Sequence, residues 1–245
     1  MSEIVTTLDP EGAETLATIS KAGKFNKWMY DQIRNYLKGD ILEIGSGIGN
    51  ISIHVIEDGY NITLSDYNAE YCFLLKEKFR NEPKVKDVIR IDLLQPGFER
   101  EYASMRQKFD TVFLLNVIEH VEDDNKVIQN ISFLLKKGGH AIILAPAYNW
   151  LYSRFDKELG HYRRYTAASM TQVVTQTGRF DALACRYFNA AGITGWLLFG
   201  KVFHKKLIGS TEMSAFNALV PLFRLLDKIV CNKIGLSVII IAVKK

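Results

Sequence analysis

Three glycines at alternating positions follow an apolar run early in the chain, and their spacing suits a ligand site. Gly45, Gly47 and Gly49 lie in the segment 41–50, which is apolar before them apart from one acid. Glycines permit a tight turn and the close approach of a ligand to the backbone. Position 50 is Asn, so the spacing of a dinucleotide-binding fingerprint is not met. The loop therefore predicts a different ligand, with a tight strand–helix turn that binds nothing as the alternative.

Carboxylates at the ends of three predicted strands indicate which chemical class of ligand the loop would bind. Glu43 stands two residues before Gly45, where it would repel a pyrophosphate and attract a cation. Asp66 ends the next strand and can accept both hydroxyls of a ribose. Asp92 follows the third strand and could meet the exocyclic amine of adenine; for either aspartate alone, a turn or capping role is an equal alternative. Together the three acids indicate a nucleoside that carries a cation and no phosphate chain.

The segment 109–121, with the sequence FDTVFLLNVIEHV, contains the fourth predicted strand and completes this pattern. With the glycine loop, Asp66 and Asp92, it matches the motifs of a known family in order and spacing. The sequence resembles the class I S-adenosylmethionine-dependent methyltransferases over residues 25–186 and the terminal strand. The resemblance implies S-adenosylmethionine as the cofactor and a small molecule as the methyl acceptor.

The resemblance also assigns parts of the cofactor to particular residues. It implies that the glycine loop with Ser46 packs the methionine moiety, that Asp66 holds the ribose and that Asp92 binds adenine. It places four further residues near the cofactor: Tyr67 and Leu93 beside adenine, and Asn116 and Val117 near the sulfonium and the methionine backbone. The helix that contains Trp28 and Tyr30 would close over the methionine end, with helix–sheet packing as the alternative for both.

His120 is the first candidate on the acceptor side, because it lies just past the fourth predicted strand in the run Glu119-His120-Val121. Its imidazole could serve as a general base or orient the acceptor, and the alternative is a structural histidine that caps the loop. A related ubiquinone-pathway subgroup places a glutamate before this Glu-His pair to bind a metal, whereas this chain has Asn116 at that position. We therefore predict no metal.

The segment 148–165 follows the fifth predicted strand and should leave the sheet at the edge that carries the cofactor loops. It concentrates aromatic residues, two adjacent arginines and a histidine, as expected for an acceptor-side lid. We expect His161 to act as a base or donor, and Arg163 or Arg164 to bind a carboxylate or phosphate. Four aromatic side chains are expected to line the acceptor pocket: Tyr148, Tyr152, Tyr162 and Trp196. The alternative is a loop packed by its own aromatic side chains, with its arginines solvated.

Alternating short strands and longer helices must position these residues. Apolar runs predict buried strands at 40–44, 61–65, 88–91, 111–115 and 141–144. Amphipathic patterns predict helices at 51–57, 69–80, 125–135 and 167–177, the third ended by the Lys-Lys-Gly-Gly run 136–139 and the fourth begun by Thr166. This alternation predicts a doubly wound α/β fold, and the resemblance implies a seven-stranded, mostly parallel, Rossmann-like sheet.

The two ends of the chain differ from this regular centre. Residues 1–38 are predicted to form N-terminal helices, and 147–186 an acceptor-side loop and helix. The apolar stretch 187–231 is predicted to form a helical cap inserted before the last strand. The run 237–243 predicts an antiparallel strand at the sheet edge. We expect one methyltransferase domain to span residues 1–245.

Composition excludes several classes of protein. The 245 residues are 48% hydrophobic and 24% charged, as in a soluble globular protein, and a net charge of +4 is too weak to indicate nucleic-acid binding. The three cysteines form no paired motif, and neither a signal peptide nor a membrane-spanning run is found, so we expect a cytoplasmic protein. The sequence does not indicate the oligomeric state.

The expected function is methyl transfer from S-adenosylmethionine to an O or N atom of a small, fairly apolar or aromatic acceptor. The Gly-His-x-Arg-Arg-Tyr run at 160–165 resembles a bacterial subgroup of small-molecule methyltransferases, as in natural-product biosynthesis. One alternative is an enzyme that contacts a membrane surface and methylates a glycolipid or a polyprenyl-linked sugar, because Lys205 and Lys206 follow the apolar stretch 196–199. Another is a non-catalytic cofactor-binding protein, against which the retained carboxylates argue.

Overall fold

A seven-stranded sheet forms the centre of the protein. The computed structural model describes residues 10–198 and 209–245. The strands are Ile41–Ile44 (β1), Ile62–Asp66 (β2), Val85–Arg90 (β3), Phe109–Leu115 (β4), Leu135–Pro146 (β5), Phe180–Phe188 (β6) and Ser237–Lys244 (β7). Their order is β3-β2-β1-β4-β5-β7-β6, and β7 runs antiparallel to both of its neighbours while the other pairs are parallel. The predicted mostly parallel α/β sheet is confirmed.

Helices cover both faces of this sheet. Their bounds are Pro10–Ser20 (α1), Gly23–Asp31 (α2), Ser52–Glu57 (α3), Ala69–Lys78 (α4), Phe98–Glu101 (α5), Asp124–Leu134 (α6), Arg154–Glu158 (α7), Ala167–Thr175 (α8), Ala191–Trp196 (α9) and Ser210–Ile229 (α10). On one face α6 and α8 contribute Ile131 and Met170 to the core. On the other face α2 and α4 contribute Met29 and Leu75. Because both faces are covered, the central strands are apolar along nearly their whole length.

Two expectations about the end of the sheet are wrong. β7 lies between β5 and β6 rather than at the edge, and β6 falls where a loop and a cap were expected. β6 has a neighbour on one side only, and its interior residues are exposed or half-buried, so it shows no apolar run. β7 is paired on both sides and has a continuous apolar run for that reason.

The predicted helix 125–135 ends within one residue of its expected position, but the expected capping role of the Lys-Lys-Gly-Gly run 136–139 is wrong. α6 already ends at Leu134, and β5 begins at the next residue. The pairing of β5 with β4 then jumps, because Leu135 lies opposite Phe109 whereas His140 lies opposite Thr111. Gly138 has a φ of 73° within this irregular stretch. The glycine therefore serves a bulge inside a strand and not a helix cap.

The remaining end regions agree with the expected helices in part. α1 and α2 lie within the predicted N-terminal helical region, and Thr166 caps α8 by accepting a hydrogen bond from the backbone N–H of Ser169. The cap region contributes α9 and α10, while Phe199, Lys205 and Lys206 lie outside the described residues. In the parts of the chain that the structure describes, no helix is long and apolar enough to cross a membrane.

Candidate active site

The glycine loop joins β1 to α3 and is tied to the end of β2. Its three glycines have positive φ angles of 76°, 54° and 78° at Gly45, Gly47 and Gly49. The backbone N–H of Gly47 donates to Asp66 Oδ2 at 2.8 Å. Asp66 Oδ1 accepts from the backbone N–H of Asn68 at 2.9 Å. Asp66 thus holds the loop against the start of α4, and a carboxylate offers about four acceptor positions, enough to serve a ribose as well.

The end of β4 lies directly against this loop. A Cβ added to Gly45 would collide with Cγ2 of Val117, so only glycine allows the two segments to approach this closely. Asn116, just before it, has a φ of 56° and donates its backbone N–H to the carbonyl oxygen of Leu144 at 2.8 Å. The structure therefore brings Val117, which follows Asn116, to the glycine loop, and contacts of either residue with the sulfonium or the methionine backbone stay predictions.

Glu43 lies beneath the loop and is 4% exposed. Its carboxylate accepts a hydrogen bond from the Ser52 hydroxyl in the first turn of α3. Burial raises the pKa of Glu43 to about 7, although the Ser52 hydrogen bond acts in the opposite direction. Ser46, within the loop, is also buried, and its hydroxyl accepts from the backbone N–H of Ser65 at 3.2 Å. Both side chains brace the loop, and a contact of either with a cationic ligand stays a prediction.

The residues assigned to adenine divide into buried and exposed positions. Asp92 Oδ1 accepts from the backbone N–H of Leu94 at 2.8 Å, which closes a turn after β3. Leu93 is buried in the core, and its carbonyl oxygen accepts from Asn130 Nδ2 at 2.8 Å. Tyr67 is 62% exposed beside the Arg90 side chain. Of these side chains, Tyr67 therefore has the exposed surface on which an adenine ring could stack. The contacts of all three residues with adenine stay predictions.

Trp28 and Tyr30 pack into the protein rather than over the glycine loop. Trp28 is 2% exposed and makes an edge contact with the ring of Phe188 at 4.6 Å. Tyr30 is fully buried, and its hydroxyl donates to Asp58 Oδ2 at 2.7 Å, just beyond the far end of α3. Burial and this hydrogen bond raise the pKa of Tyr30. These contacts favour the packing alternative for both residues, and they correct the expected contact of Tyr30 with the methionine end.

A buried ion pair organises the acceptor-side loop. Asp156 is fully buried and accepts from Arg164 Nε at 2.7 Å and from His161 Nδ1 at 2.9 Å, both through Oδ1. Its other oxygen accepts from the backbone N–H of Ser153 at 2.8 Å, which caps α7. Burial alone would raise the pKa of Asp156, but the hydrogen bonds from His161 and Arg164 hold it below its ordinary value. Asp156 therefore fixes the position of His161.

Most of the other predicted acceptor residues support this loop. Arg164 is 3% exposed and donates from Nη1 to the carbonyl oxygen of Ala147 at 3.0 Å, so the structure does not offer it to a carboxylate or phosphate of an acceptor. Trp196 lies over that guanidinium at 4.4 Å and donates from Nε1 to the Leu151 carbonyl oxygen at 3.0 Å. The Tyr152 hydroxyl donates to the His161 carbonyl oxygen at 2.6 Å. The burial of Arg164 corrects its expected contact with an acceptor, whereas Tyr152 and Trp196 are half-buried and their contacts with an acceptor stay predictions.

Three predicted acceptor residues remain at the surface of the loop. Arg163 is paired with Asp124 at 3.0 Å and keeps 30% of its side chain exposed. Tyr162 is 55% exposed. Tyr148 has a φ of 62° and stacks on Tyr187 with ring centroids 4.9 Å apart. Contacts of these side chains with an acceptor stay predictions.

His120 and His161 meet at the sheet edge, as an acceptor site requires. Their rings are 4.7 Å apart and nearly perpendicular, at 86°. The two segments are joined by the backbone N–H of Tyr162, which donates to the Glu119 carbonyl oxygen at 2.8 Å. Glu119 is fully buried, and this burial raises its pKa to about 8. Glu119 and Asp156 are the residues that the sequence reasoning missed, although the Ser-x-x-Asp spacing at 153–156 carries the signal of a helix cap.

The comparisons with known proteins agree with this arrangement. Residues 42–141 match a family model described as a methyltransferase domain. A ubiquinone biosynthesis O-methyltransferase of Cronobacter sakazakii is 27% identical over 100 residues, which are 41% of this chain and 39% of that protein. A phosphatidylethanolamine N-methyltransferase of Cereibacter sphaeroides is 26% identical over 156 residues, which are 57% of this chain and 73% of that protein. A solved structure of Haemonchus contortus phosphoethanolamine N-methyltransferase 2 with S-adenosyl-L-methionine has a TM-score of 0.64 at 17% identity, covering 97% of this chain and 59% of that one.

The strand order and the antiparallel β7 define a Rossmann-like methyltransferase fold. The matched residues run from β1 to β5 and include the glycine loop, Asp66 and Asp92. Residues 42–141 thus match a methyltransferase domain, and the relatives and solved structures support the resemblance to class I S-adenosylmethionine-dependent methyltransferases seen in the sequence. The chain spans about two fifths of the length of the Cronobacter sakazakii relative, so the acceptor of that protein does not transfer to it with the fold.

Proposed function

We propose that the protein transfers the methyl group of S-adenosylmethionine to an oxygen or nitrogen atom of a small, fairly apolar or aromatic acceptor. The observation that carries the proposal is the hydrogen bond of 2.8 Å between the Gly47 N–H and Asp66 Oδ2. It sets the Asp66 carboxylate against the glycine loop, where it can accept from a ribose and would repel a phosphate. The family match over residues 42–141 supports the same reading.

The described residues fit the cofactor in shape and in charge. Close packing of Val117 on Gly45 leaves no room for a side chain, so glycine keeps the loop against the end of β4. Leu16 of α1 reaches the loop from outside, since its Cδ1 would lie 3.1 Å from a Cβ added to Gly47. When bound, S-adenosylmethionine supplies an activated methyl group on a positively charged sulfur. The chain itself then has to align an acceptor with that methyl and exclude water.

His161 is the side chain best placed to handle the proton of an acceptor. Asp156 accepts from its Nδ1, so Nε2 is left as the basic atom. The aromatic surface of Tyr148 and Tyr162 supports an apolar or aromatic acceptor rather than a small, highly charged one. Arg163 offers a partly exposed guanidinium beside them for a carboxylate or phosphate on the acceptor.

Calorimetric titration tests the cofactor assignment directly. We expect the intact protein to bind S-adenosylmethionine, and Asp66→Ala to weaken binding at least about 100-fold because it removes the acceptor of the ribose hydroxyls. Asp87→Ala is the matched control, since this aspartate lies exposed on β3 and should leave affinity unchanged. Failure of the intact protein to bind the cofactor would refute the proposal, whereas binding without formation of S-adenosylhomocysteine from any acceptor would favour the non-catalytic alternative.

A specific surface favours a second candidate, a lipid-linked acceptor at a membrane. α10 exposes Leu222, Leu225 and Ile229 by 60%, 54% and 70%, and their spacing places them on one side of the helix. Lys24 and Lys228 line a groove beside this apolar stripe together with Pro221 of α10, as suits an anionic bilayer. The Cereibacter sphaeroides relative is named for a phospholipid, which supports this candidate.

Vesicle flotation separates the two candidates. The lipid-linked acceptor predicts flotation with phosphatidylcholine vesicles that contain phosphatidylglycerol, and its loss in Leu222→Gln/Ile229→Gln. Leu183→Gln is the control, because this leucine is 53% exposed on β6, far from α10 in the sequence. Absence of flotation at low salt would favour the small-molecule acceptor.

A further inference from the structure

A carboxylate and two imidazoles converge where the turn Ile118–His120 after β4 meets the loop after β5. Glu119 and His120 belong to the turn, and His161 comes from the loop. One ligand-capable atom of each side chain lies within 4.8 Å of those of the other two. Convergence of this kind from separate segments is a property of the folded chain, which the run Glu119-His120 alone does not show.

Glu119 is the unusual member of this cluster. It is fully buried, and neither carboxylate oxygen accepts a hydrogen bond from another residue that the structure describes. A buried carboxylate without partners is costly, and proteins normally avoid this cost by pairing it with a cation, a donor or a metal ion. The nearby Arg164 guanidinium already donates to Asp156 at 2.7 Å. Both oxygens of the Glu119 carboxyl are therefore available to an additional positive ion, which would take the place of its proton.

His161 is held as metal-binding histidines generally are. Because Asp156 accepts from Nδ1, that nitrogen carries the proton and Nε2 presents its lone pair. Asp156 is itself fixed by Arg164 and by the N-terminal cap of α7. This carboxylate–histidine arrangement sets both the tautomer and the orientation of the ring before any ion arrives.

We propose that Glu119, His120 and His161 form a binding site for a divalent metal ion of the zinc class. Two imidazoles and one carboxylate are ligands that Zn²⁺, Co²⁺ and similar ions favour, whereas Mg²⁺ prefers oxygen ligands. Bonds of about 2.0–2.2 Å require the three ligand atoms to draw closer, and His120 is exposed, which leaves its ring room to turn. Three protein ligands leave a fourth position open to water or to an acceptor.

The proposed site differs from the prediction of no metal, because its third ligand comes from another segment of the chain. Position 116, where the ubiquinone-pathway subgroup has a metal-binding glutamate, is Asn in this chain, whereas His161 supplies a third ligand from the loop after β5. An ion at the site would lower the pKa of a bound acceptor hydroxyl and release its proton to solvent, in place of proton uptake by His161. That consequence rests on the proposed function, whereas the ion site itself does not.

Metal titration of the full chain, after removal of bound ions with a chelator, tests the proposal. We expect one Zn²⁺ per chain by calorimetry, Co²⁺ to give the visible absorption of a low-coordinate site, and Mg²⁺ to bind at least about 100-fold more weakly. Glu119→Gln and His161→Asn should each weaken Zn²⁺ binding at least about 100-fold, and Zn²⁺ should raise the melting temperature of the wild type but not of these two variants. His54→Asn is the matched control, because His54 Nδ1 lies 2.9 Å from Glu57 Oε2 on the surface.

Each result decides the matter. The proposal is overturned if the wild type takes up no zinc, if Glu119→Gln binds zinc as tightly as the wild type, or if His54→Asn loses binding to the same extent. Glu119→Gln keeps the shape of the side chain and removes a buried charge, so we expect the metal-free variant to melt no lower than the wild type. If the wild type binds no zinc and Glu119→Gln melts at a markedly lower temperature, Glu119 is an ion-pair partner of Arg164 and not a metal ligand. Since S-adenosylmethionine binding is measured separately, failure of the metal site leaves the proposed function intact.

Discussion

The cofactor side and the acceptor side occupy one edge of the sheet but are built in different ways. On the cofactor side, backbone N–H groups of the glycine loop meet the carboxylate of Asp66, so the chain conformation itself makes the site. On the acceptor side, the buried side chains of Asp156 and Arg164 hold the His161 ring in place. A site formed by backbone groups follows from the local sequence. A site formed by side chains depends on how separate segments pack together.

Two buried glutamates show the same contrast. Glu43 on the cofactor side and Glu119 on the acceptor side both have a raised pKa because burial disfavours their charged forms. Glu43 has the Ser52 hydroxyl as a donor, whereas the carboxylate of Glu119 receives no hydrogen bond from another described residue. The first carboxyl is therefore part of the scaffold, and the second is suited to an external partner.

The largest effect is expected at the buried ion pair on the acceptor side. Arg164→Met leaves the carboxylate of Asp156 buried without its cation, and we expect it to lower the free energy of unfolding by about 3–5 kcal/mol. Arg163→Met breaks the ion pair with Asp124, in which the Arg163 side chain is 30% exposed. This substitution should lower the free energy of unfolding by about 1 kcal/mol or less. Urea unfolding measures both. Equal losses in the two variants would contradict the view that this side depends on one buried pair.

A smaller effect, on the order of 3 kcal/mol, is expected from the titration of Glu43. Its pKa is about 7 in the folded chain and near 4.5 when unfolded, so protonation favours the folded state. The free energy of unfolding should therefore fall as the pH rises from about 5 through 7, since each pKa unit corresponds to about 1.4 kcal/mol. Urea unfolding at a series of pH values, without cofactor, measures the trend.

Glu43→Gln supplies the control for this titration. The amide keeps the shape of the side chain and cannot ionise, so the stability lost between about pH 5 and pH 7 should be about half as large in the variant, with Glu119, whose pKa is about 8, responsible for the remainder. A wild-type stability that rises over this interval, or a variant with the same slope as the wild type, would show that Glu43 is not the titrating group.

The contrast between the two sides also explains what the sequence could and could not predict. The glycine loop, Asp66 and Asp92 lie at strand ends whose apolar runs are visible in the sequence, so the fold and these positions follow from local pattern. β6 was not predicted, because a half-exposed strand at the edge of a sheet has no continuous apolar run. The Lys-Lys-Gly-Gly run 136–139 misled because a bulge and a helix cap both call for glycine.

The sequence indicates where the acceptor side lies, but it does not predict the role of each residue there. The cluster of aromatic and basic residues after β5 indicated a functional loop, yet their types do not distinguish Arg163, which is partly exposed, from Arg164, which is buried on Asp156. That distinction depends on which arginine faces inward after the loop folds. In the same way, the meeting of His161 with Glu119 depends on the backbone contact between Tyr162 and the turn after β4, which no local pattern encodes.

The smallest of the three effects tests whether the cofactor side is truly made by its backbone. Gly45→Ala adds a Cβ that meets Val117 in a residue whose φ is 76°, so we expect cofactor affinity to fall about 100-fold, which is about 2.7 kcal/mol. Gly178→Ala provides the control: its φ is 69°, but a Cβ there has no neighbour within 4 Å, so the substitution costs about 1 kcal/mol of stability and leaves affinity unchanged. Calorimetry and thermal unfolding of both variants separate the two causes. Comparable losses of affinity would mean that backbone strain alone, and not the close approach of β4 to the loop, shapes the cofactor side.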